Sequence, residues 1–342
     1  MKAKITFKFL FDIFLIFIIA ILMLYNQLFI YGLQMGKGEL HIVCNTRTIE
    51  ECMKDAEFPD SLKNKLLLIQ EIRHYAIDSL GLNNSPNYTT IYDQRNKPAI
   101  WVLSACEPFY LRIKVWKFPL LGSVPYKGFF KKEEAQQEQS NLTAEGYDTK
   151  MGTTSGWSTL GWFKDPILSN MLLQNEGNLA ELIIHELTHS TIFIKDNVQH
   201  NENLANFVGE MGAKKFLIYK FGKNSKEYCN YLNQQKDELM YSNYMLNSVK
   251  KLDSLYKSFG TRLNFNEKKM KKETLILSIV DGVRDLKLSD KYRYFKVSKR
   301  AITCKNAFFM EFVRYDAQHN YFESEMNKDD GGDITTFIKQ QK

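Results

Sequence analysis

Cysteine is scarce in this 342-residue chain: Cys44, Cys52, Cys106, Cys229 and Cys304 are the five, and none stands in a C-x-x-C or zinc-ribbon spacing. A thiolate-held metal is therefore excluded. Outside a reducing compartment some thiols can pair, Cys44 with Cys52 being the most local choice, but an odd count leaves one free and the connectivity open. The chain also lacks a nucleic-acid signature. Its net charge of +7 is diffuse, and the basic runs Lys269 to Lys272 and Lys127 to Lys132 carry no interleaved basic and aromatic motif, so they read as solvated faces. No internal repeat stands out, which argues against a solenoid. Histidine is nearly as rare as cysteine, with six residues, so a pair at ligand spacing is conspicuous.

Such a pair exists. Leu182 to Ser190 read L-I-I-H-E-L-T-H-S, an H-E-x-x-H motif in the stretch Asn178 to Phe193, which has no Pro or Gly and repeats Leu179, Leu182, Ile183 and Leu187 at helical spacing. On a helix His185 and His189 project from one face about a turn apart and can grip one Zn²⁺. Glu186 then sits beside the metal. Zinc with three protein ligands keeps a position for water and lowers its pKa towards ~7, and a neighbouring carboxylate can take the proton as that water attacks a carbonyl. A carboxylate buried without a cation partner would be costly, which also favours this reading of Glu186.

The third ligand comes from a resemblance. Twelve residues after His189, Asn201 to Gly209 read N-E-N-L-A-N-F-V-G, and N-E-x-x-A-N is similar to the N-E-x-x-S-D segment of thermolysin-like zinc proteases, the gluzincins, whose Glu binds the metal. The match implies Glu202 as third ligand and puts Asn206 where that group has an Asp hydrogen-bonded to a ligand His. Glu210, eight residues on, competes with Glu202. From about Tyr31 to near the carboxy terminus the chain resembles a narrower group, bacterial proteins described as putative aminopeptidases, a domain of unknown function. The blocks that carry this are F-P-L-L-G-S-V-P-Y-K-G-F-F (118–130), S-T-L-G-W-F-K-D-P-I-L-S-N-M-L (158–172), H-E-L-T-H and N-E-N-L-A-N-F-V-G-E. The chain departs from the group at Ser123, where Cys is common, and in lacking a Cys near residue 20 for a lipid anchor. The resemblance implies a zinc peptidase more firmly than an exopeptidase.

The amino terminus offers another anchor. Phe9 to Tyr25 form a seventeen-residue apolar run with one charge near its start, and apolar character continues through Leu28 to Leu33. That nearly spans a ~30 Å hydrocarbon layer. Lys2, Lys4 and Lys8 precede it and favour a cytoplasmic amino terminus with the rest outside. A cleaved signal peptide is the alternative, but no small-x-small cleavage pattern follows. The expected organisation is residues 1–8 cytoplasmic, 9–30 a transmembrane signal anchor and 31–342 the peptidase domain, with 31–200 its sheet-containing lobe and 201–342 its helical lobe. The protein is then membrane-anchored with an extracytoplasmic domain, facing the periplasm from the inner membrane if the cell is Gram-negative.

Pro59 to Leu80 read as an amphipathic helix stopped at Gly81, with His74 a packed or surface residue on it. Strands are expected at 88–92, 99–104 and 109–116, a helix at 133–144 and strands at 147–153 and 157–160. Zinc proteases of this kind set an edge strand before the metal-binding helix to pair with substrate backbone, and Gly156 to Leu160 resembles it in position. Gly156, Ser158 and Thr159 are thus the substrate-binding candidates, against an internal hairpin strand. Helices follow at 202–221, 225–259 and 266–286, with a last one from near Cys304. Tyr315 falls at the Tyr position of the aminopeptidase group, where its hydroxyl could donate to the oxyanion, or simply pack.

These readings converge on an α+β, zincin-like fold with a small mixed sheet, an active-site helix and a mainly helical carboxy-terminal lobe after one transmembrane helix. The expected protein is a zinc metallopeptidase acting on peptide or protein substrates, more an aminopeptidase than an endopeptidase, with one Zn²⁺ on His185, His189 and Glu202 and catalytic roles for Glu186 and Tyr315. Glu107 is a candidate to hold a substrate α-ammonium. A catalytically idle zinc-binding envelope scaffold and an endopeptidase of the same fold are the alternatives; an idle scaffold has no need of Glu186.

Overall fold

The described residues of the computed structural model, 11, 26–118, 122–153, 164–194, 197–315, 319–329 and 332–342, form a mixed α and β structure that is mostly helical with small sheets. The first part runs α1 (Asn26–Cys44), β1 (Thr46–Thr48), α2 (Ile49–Lys54), α3 (Asp60–Asp78), β2 (Thr90–Tyr92), β3 (Trp101–Cys106), β4 (Trp116–Phe118), β5 (Gly122–Val124), β6 (Lys127–Phe129), α4 (Lys132–Ala144), β7 (Asp148–Thr153) and β8 (Ile167–Leu168). Helices then take over: α5 (Glu176–His189), α6 (Val198–Phe221), α7 (Lys226–Lys257), α8 (Phe265–Gly282), α9 (Lys291–Ser298), α10 (Arg300–Cys304), α11 (Asn306–Tyr315), α12 (His319–Asp329) and α13 (Ile334–Gln341).

The expected single sheet is in three pieces among the described residues. One is mixed, with β2 antiparallel to β1 and parallel to β8; the second sets β3 antiparallel between β6 and β7; the third is the β4–β5 pair. The strand expected at 109–116 does not form as such. The chain turns back at once, with Glu107 N–H donating to Arg112 and Lys114 N–H to Ala105, while Phe109 leaves any strand alternation to pack edge-on against Tyr256, Phe259 and Phe265. Burial of that ring in the helical part outweighs its β propensity.

Helix α3 starts after Pro59, whose extended backbone suits the residue before a helix, and gives out before Gly81, which takes φ +77°. Its buried Leu66, Ile69, Ile72 and Ala76 recur every three or four residues and face α5 and α6. The same core takes Phe322, Met326, Phe337 and Ile338 from α12 and α13, so the carboxy terminus returns to pack on α6, where Phe207 meets Phe322 and Phe337. A second core lies among α7 to α11. A buried ion pair joins it to the strands: Lys272 of α8 contacts Asp148 of β7 and donates to the Pro108 carbonyl at 2.8 Å, and Asp148 also accepts the Asn306 N–H at 3.0 Å.

All five cysteines are free thiols, so the local Cys44–Cys52 pairing does not form; Cys44 is exposed at the end of α1 whereas Cys52 is buried on α2. No helix among the described residues is long and apolar enough to cross a membrane, and the apolar run 9–25 lies outside them apart from Phe11. Helix α1 continues through residues 30 and 31 without a break.

Candidate metal centre

The Asn175 side chain caps α5 by accepting the Asn178 N–H at 2.8 Å, and the helix then buries Leu179, Ala180, Ile183, Ile184 and Leu187. That apolar stripe fixes the rotation of the helix, and the four-residue step puts His185 and His189 together on it. Their Nε2 atoms lie 3.1 Å apart, with the rings edge to face at 85°.

Glu202 arrives from the first turns of α6. The connection is held by Asn201, whose amide accepts the Ile194 N–H at 2.9 Å and donates to the Ile194 carbonyl at 2.8 Å, and by Asn197, which caps α6 through the His200 N–H. Further along, α6 presents Gly209 and Gly212 to α5. A Cβ on Gly209 would stand 2.9 Å from the Glu181 carbonyl oxygen and 3.1 Å from the His185 Cβ, so the close approach needs glycine there.

The Glu202 carboxylate is thereby brought 3.7 Å from His185 Nε2 and 3.5 Å from His189 Nε2. Ligands held tetrahedrally at about 2.0–2.2 Å from zinc lie about 3.3–3.6 Å from each other. The 3.7 Å contact is made by Glu202 Oε2 and the 3.5 Å contact by Oε1, and one ligand atom from each of the three residues lies within 4.8 Å of the others, a cluster that could hold one ion between them. The three are the one His/Cys/Asp/Glu group among the described residues with a metal-holding geometry. Burial pushes the His185 imidazole down to about 3, helped by His189 and opposed by a hydrogen bond with Asn206, and burial pushes His189 down to about 4. Both rings are neutral at physiological pH, with lone pairs free to coordinate. The Asn206 bond occupies the place that the resemblance gave it.

Glu186 is 9% exposed. Burial, then the charges of Glu202 and Asp165, push its carboxyl up to about 8, and the Tyr88 hydroxyl pulls the other way. A dication in the triad would oppose these effects and favour the carboxylate. Asp165 precedes β8, is 1% exposed, and is bonded twice to Asn87: Asn87 Nδ2 donates to Asp165 Oδ2 at 3.1 Å, and Asn87 Oδ1 accepts the Asp165 N–H at 3.0 Å.

The other sequence candidates lie elsewhere. Glu210 is engaged by Lys214 at 2.6 Å and is no part of the triad. Glu107 is paired with Arg112 at 3.1 Å, and the carboxylates acting on Glu186 are Glu202 and Asp165. His74 is exposed on α3. Gly156, Ser158 and Thr159 fall outside the described residues; Tyr315 is the last residue of α11, and the expectation for its hydroxyl also lies outside what is described. Tyr88, Asn87 and Asp165 were not singled out from sequence. Tyr88 read as the start of a strand, and Asp165 lay unassigned inside the W-F-K-D-P-I block, the one signal that could have found it.

The fold and site thus define a helical α and β protein with a His–His–Glu centre suited to a metal. The family profile described as "putative aminopeptidase" matches residues 30–342, and the chain belongs to that family. Comparison with curated proteins gave no match, nor did comparison with solved structures.

Proposed function

We propose that this chain is a zinc metallopeptidase of the gluzincin type that removes residues from the amino termini of peptides. The observation that carries this reading is the convergence of His185 Nε2, His189 Nε2 and the Glu202 carboxylate, one ligand atom from each within 4.8 Å of the others, with the Glu186 carboxyl beside but not among them. Zinc bound there would polarise the scissile carbonyl and lower the pKa of water. Glu186 takes the proton of the attacking water and returns it to the departing amine. The buried, neutral histidines hold the ion, and Asn206 orients His185. Membership of the family supports the peptidase class and, through its description, the aminopeptidase assignment.

The test is metal analysis of the purified protein with a cleavage profile on peptides with free and with acetylated amino termini. One equivalent of zinc and cleavage restricted to free amino termini are expected. In Glu186→Gln the metal should remain while cleavage falls by ~10²–10⁴. A wild type that cleaves neither set, with Glu186→Gln indistinguishable from it in cells, leaves the idle scaffold as the function; equal cleavage of blocked peptides makes it an endopeptidase.

We further propose that the run 9–25 anchors the chain with its peptidase domain outside the cytoplasm. The lysines before the run and the apolar Phe29, Ile30 and Leu33, each more than half exposed on α1 directly after it, support this. Protease added to intact spheroplasts should degrade the domain; full protection until lysis would reverse the topology.

A further inference from the structure

Tyr88 is, with Tyr231, among the largest fully buried side chains of the main core and is 0% exposed. Its backbone has φ +60°, a left-handed conformation that a bulky non-glycine residue adopts only when its surroundings force it. The surroundings do. Tyr88 N–H donates to the Asp165 carbonyl at 2.7 Å, the Tyr88 carbonyl accepts from Gln70 Nε2 of α3 at 2.8 Å, and the preceding Asn87 is locked twice to Asp165. This clamp fixes where the ring points. The hydroxyl it delivers is buried beside the carboxylates of Glu186 and Asp165 and interacts with Glu186, short of full hydrogen-bond alignment. A buried phenol set so against a carboxylate calls for a functional or structural reason.

We infer that Tyr88 is a positioning residue for the peptidase chemistry proposed above: its hydroxyl donates to one oxygen of Glu186 and turns the other towards the reacting water. Two carboxylates face one O–H, and a phenol donates once. Asp165 Oδ2 already accepts from Asn87, whereas among the described residues Tyr88 is the side-chain donor that acts on Glu186. The buried phenol is held well above its ordinary pKa and stays a donor throughout the working pH range. A carboxylate on a helix is otherwise free to rotate about its last torsion, and a base turned away from the water loses rate without loss of metal or substrate binding.

The inference rests on the peptidase reading, and its test separates the two. In the full chain, Tyr88→Phe should lower kcat by ~10–100-fold, with KM, zinc content and thermal midpoint close to wild type. In the Glu186→Gln background the same change should cost nothing further, because its partner is already gone. Equal losses in both backgrounds would mean a packing role, and an unchanged kcat would mean none; either overturns the inference. Tyrosine labelled with ¹³C at Cζ gives a readout independent of turnover. The resonance absent from Tyr88→Phe should move in Glu186→Gln. If it stays in place the inference fails, whether or not the protein cleaves peptides; if it moves in a protein that cleaves nothing, the contact is real and the peptidase reading is what fails.

Discussion

Gly209 of α6 lies against His185 of α5 so closely that a Cβ on the glycine would come within 3.1 Å of the histidine Cβ and 2.9 Å of the Glu181 carbonyl oxygen. The seven residues from Glu202 to Gly209 are about two helical turns, so the packing that admits no side chain at one end sets the height of the Glu202 carboxylate at the other. Gly209→Ala should push the helices apart by a few tenths of an ångström. Overpacking of this kind costs about 1–3 kcal/mol. Metal titration is expected to show an affinity loss of about 10-fold or more, since displaced supports typically cost that much.

Two acids compete for the role of third ligand in the sequence, and the geometry separates them. Glu202→Ala removes a carboxylate from the triad, whereas Glu210→Ala removes one that pairs with Lys214 and lies outside it. Elemental analysis after dialysis should find metal in Glu210→Ala and little in Glu202→Ala. The opposite result would move the site.

Glu181 sits one turn before His185, and burial pushes its carboxyl up to about 7 although Tyr231 and Gln235 donate to it at 2.8 and 2.9 Å. A carboxyl with a folded pKa above its unfolded value near 4.5 keeps its full contribution below pH 4.5 and loses it as pH rises to about 7. Glu181→Gln retains an oxygen for both donors and removes the titration. The variant should match wild type near pH 4 and exceed it by up to about 3 kcal/mol at pH 8. Urea unfolding at several pH values measures this difference.

The Lys272–Asp148 pair is almost dry, at 2% and 8% side-chain exposure. Removing one partner of such a pair leaves an uncompensated buried charge and costs about 3–5 kcal/mol. Lys272→Met should therefore destabilise strongly, and adding Asp148→Asn should recover part of the loss. Chemical denaturation of the two single variants and the double variant checks it. Additive losses would show that the two side chains do not act as a pair.

Much of the architecture was legible because local periodicity carries it. The expected helix at 133–144 is α4, the strand at 147–153 is β7, and the long helices after residue 201 fall within a few residues of their expected ends. The segment 109–116 was misread because its aromatic residues satisfy a strand propensity and a helical-lobe core equally well, and only the partner Tyr256, more than a hundred residues away, decides between them. The Cys44–Cys52 pair failed similarly: sequence nearness says nothing about which face of the chain each thiol occupies.

The sequence by itself determined the pair His185 and His189 and their neighbour Glu186, because a four-residue step on a helix is a local fact that no packing can undo. It also narrowed the third ligand to two glutamates on one helix. Tertiary structure brought Glu202 and not Glu210 to the histidines, since the crossing of α5 and α6 at Gly209 and Gly212 sets which turn of α6 stands opposite them. It alone brought Tyr88 and Asp165 to Glu186 from segments about a hundred and about twenty residues away. Such neighbours leave no periodic trace, because the burial and electrostatics that join them act through space and not along the chain.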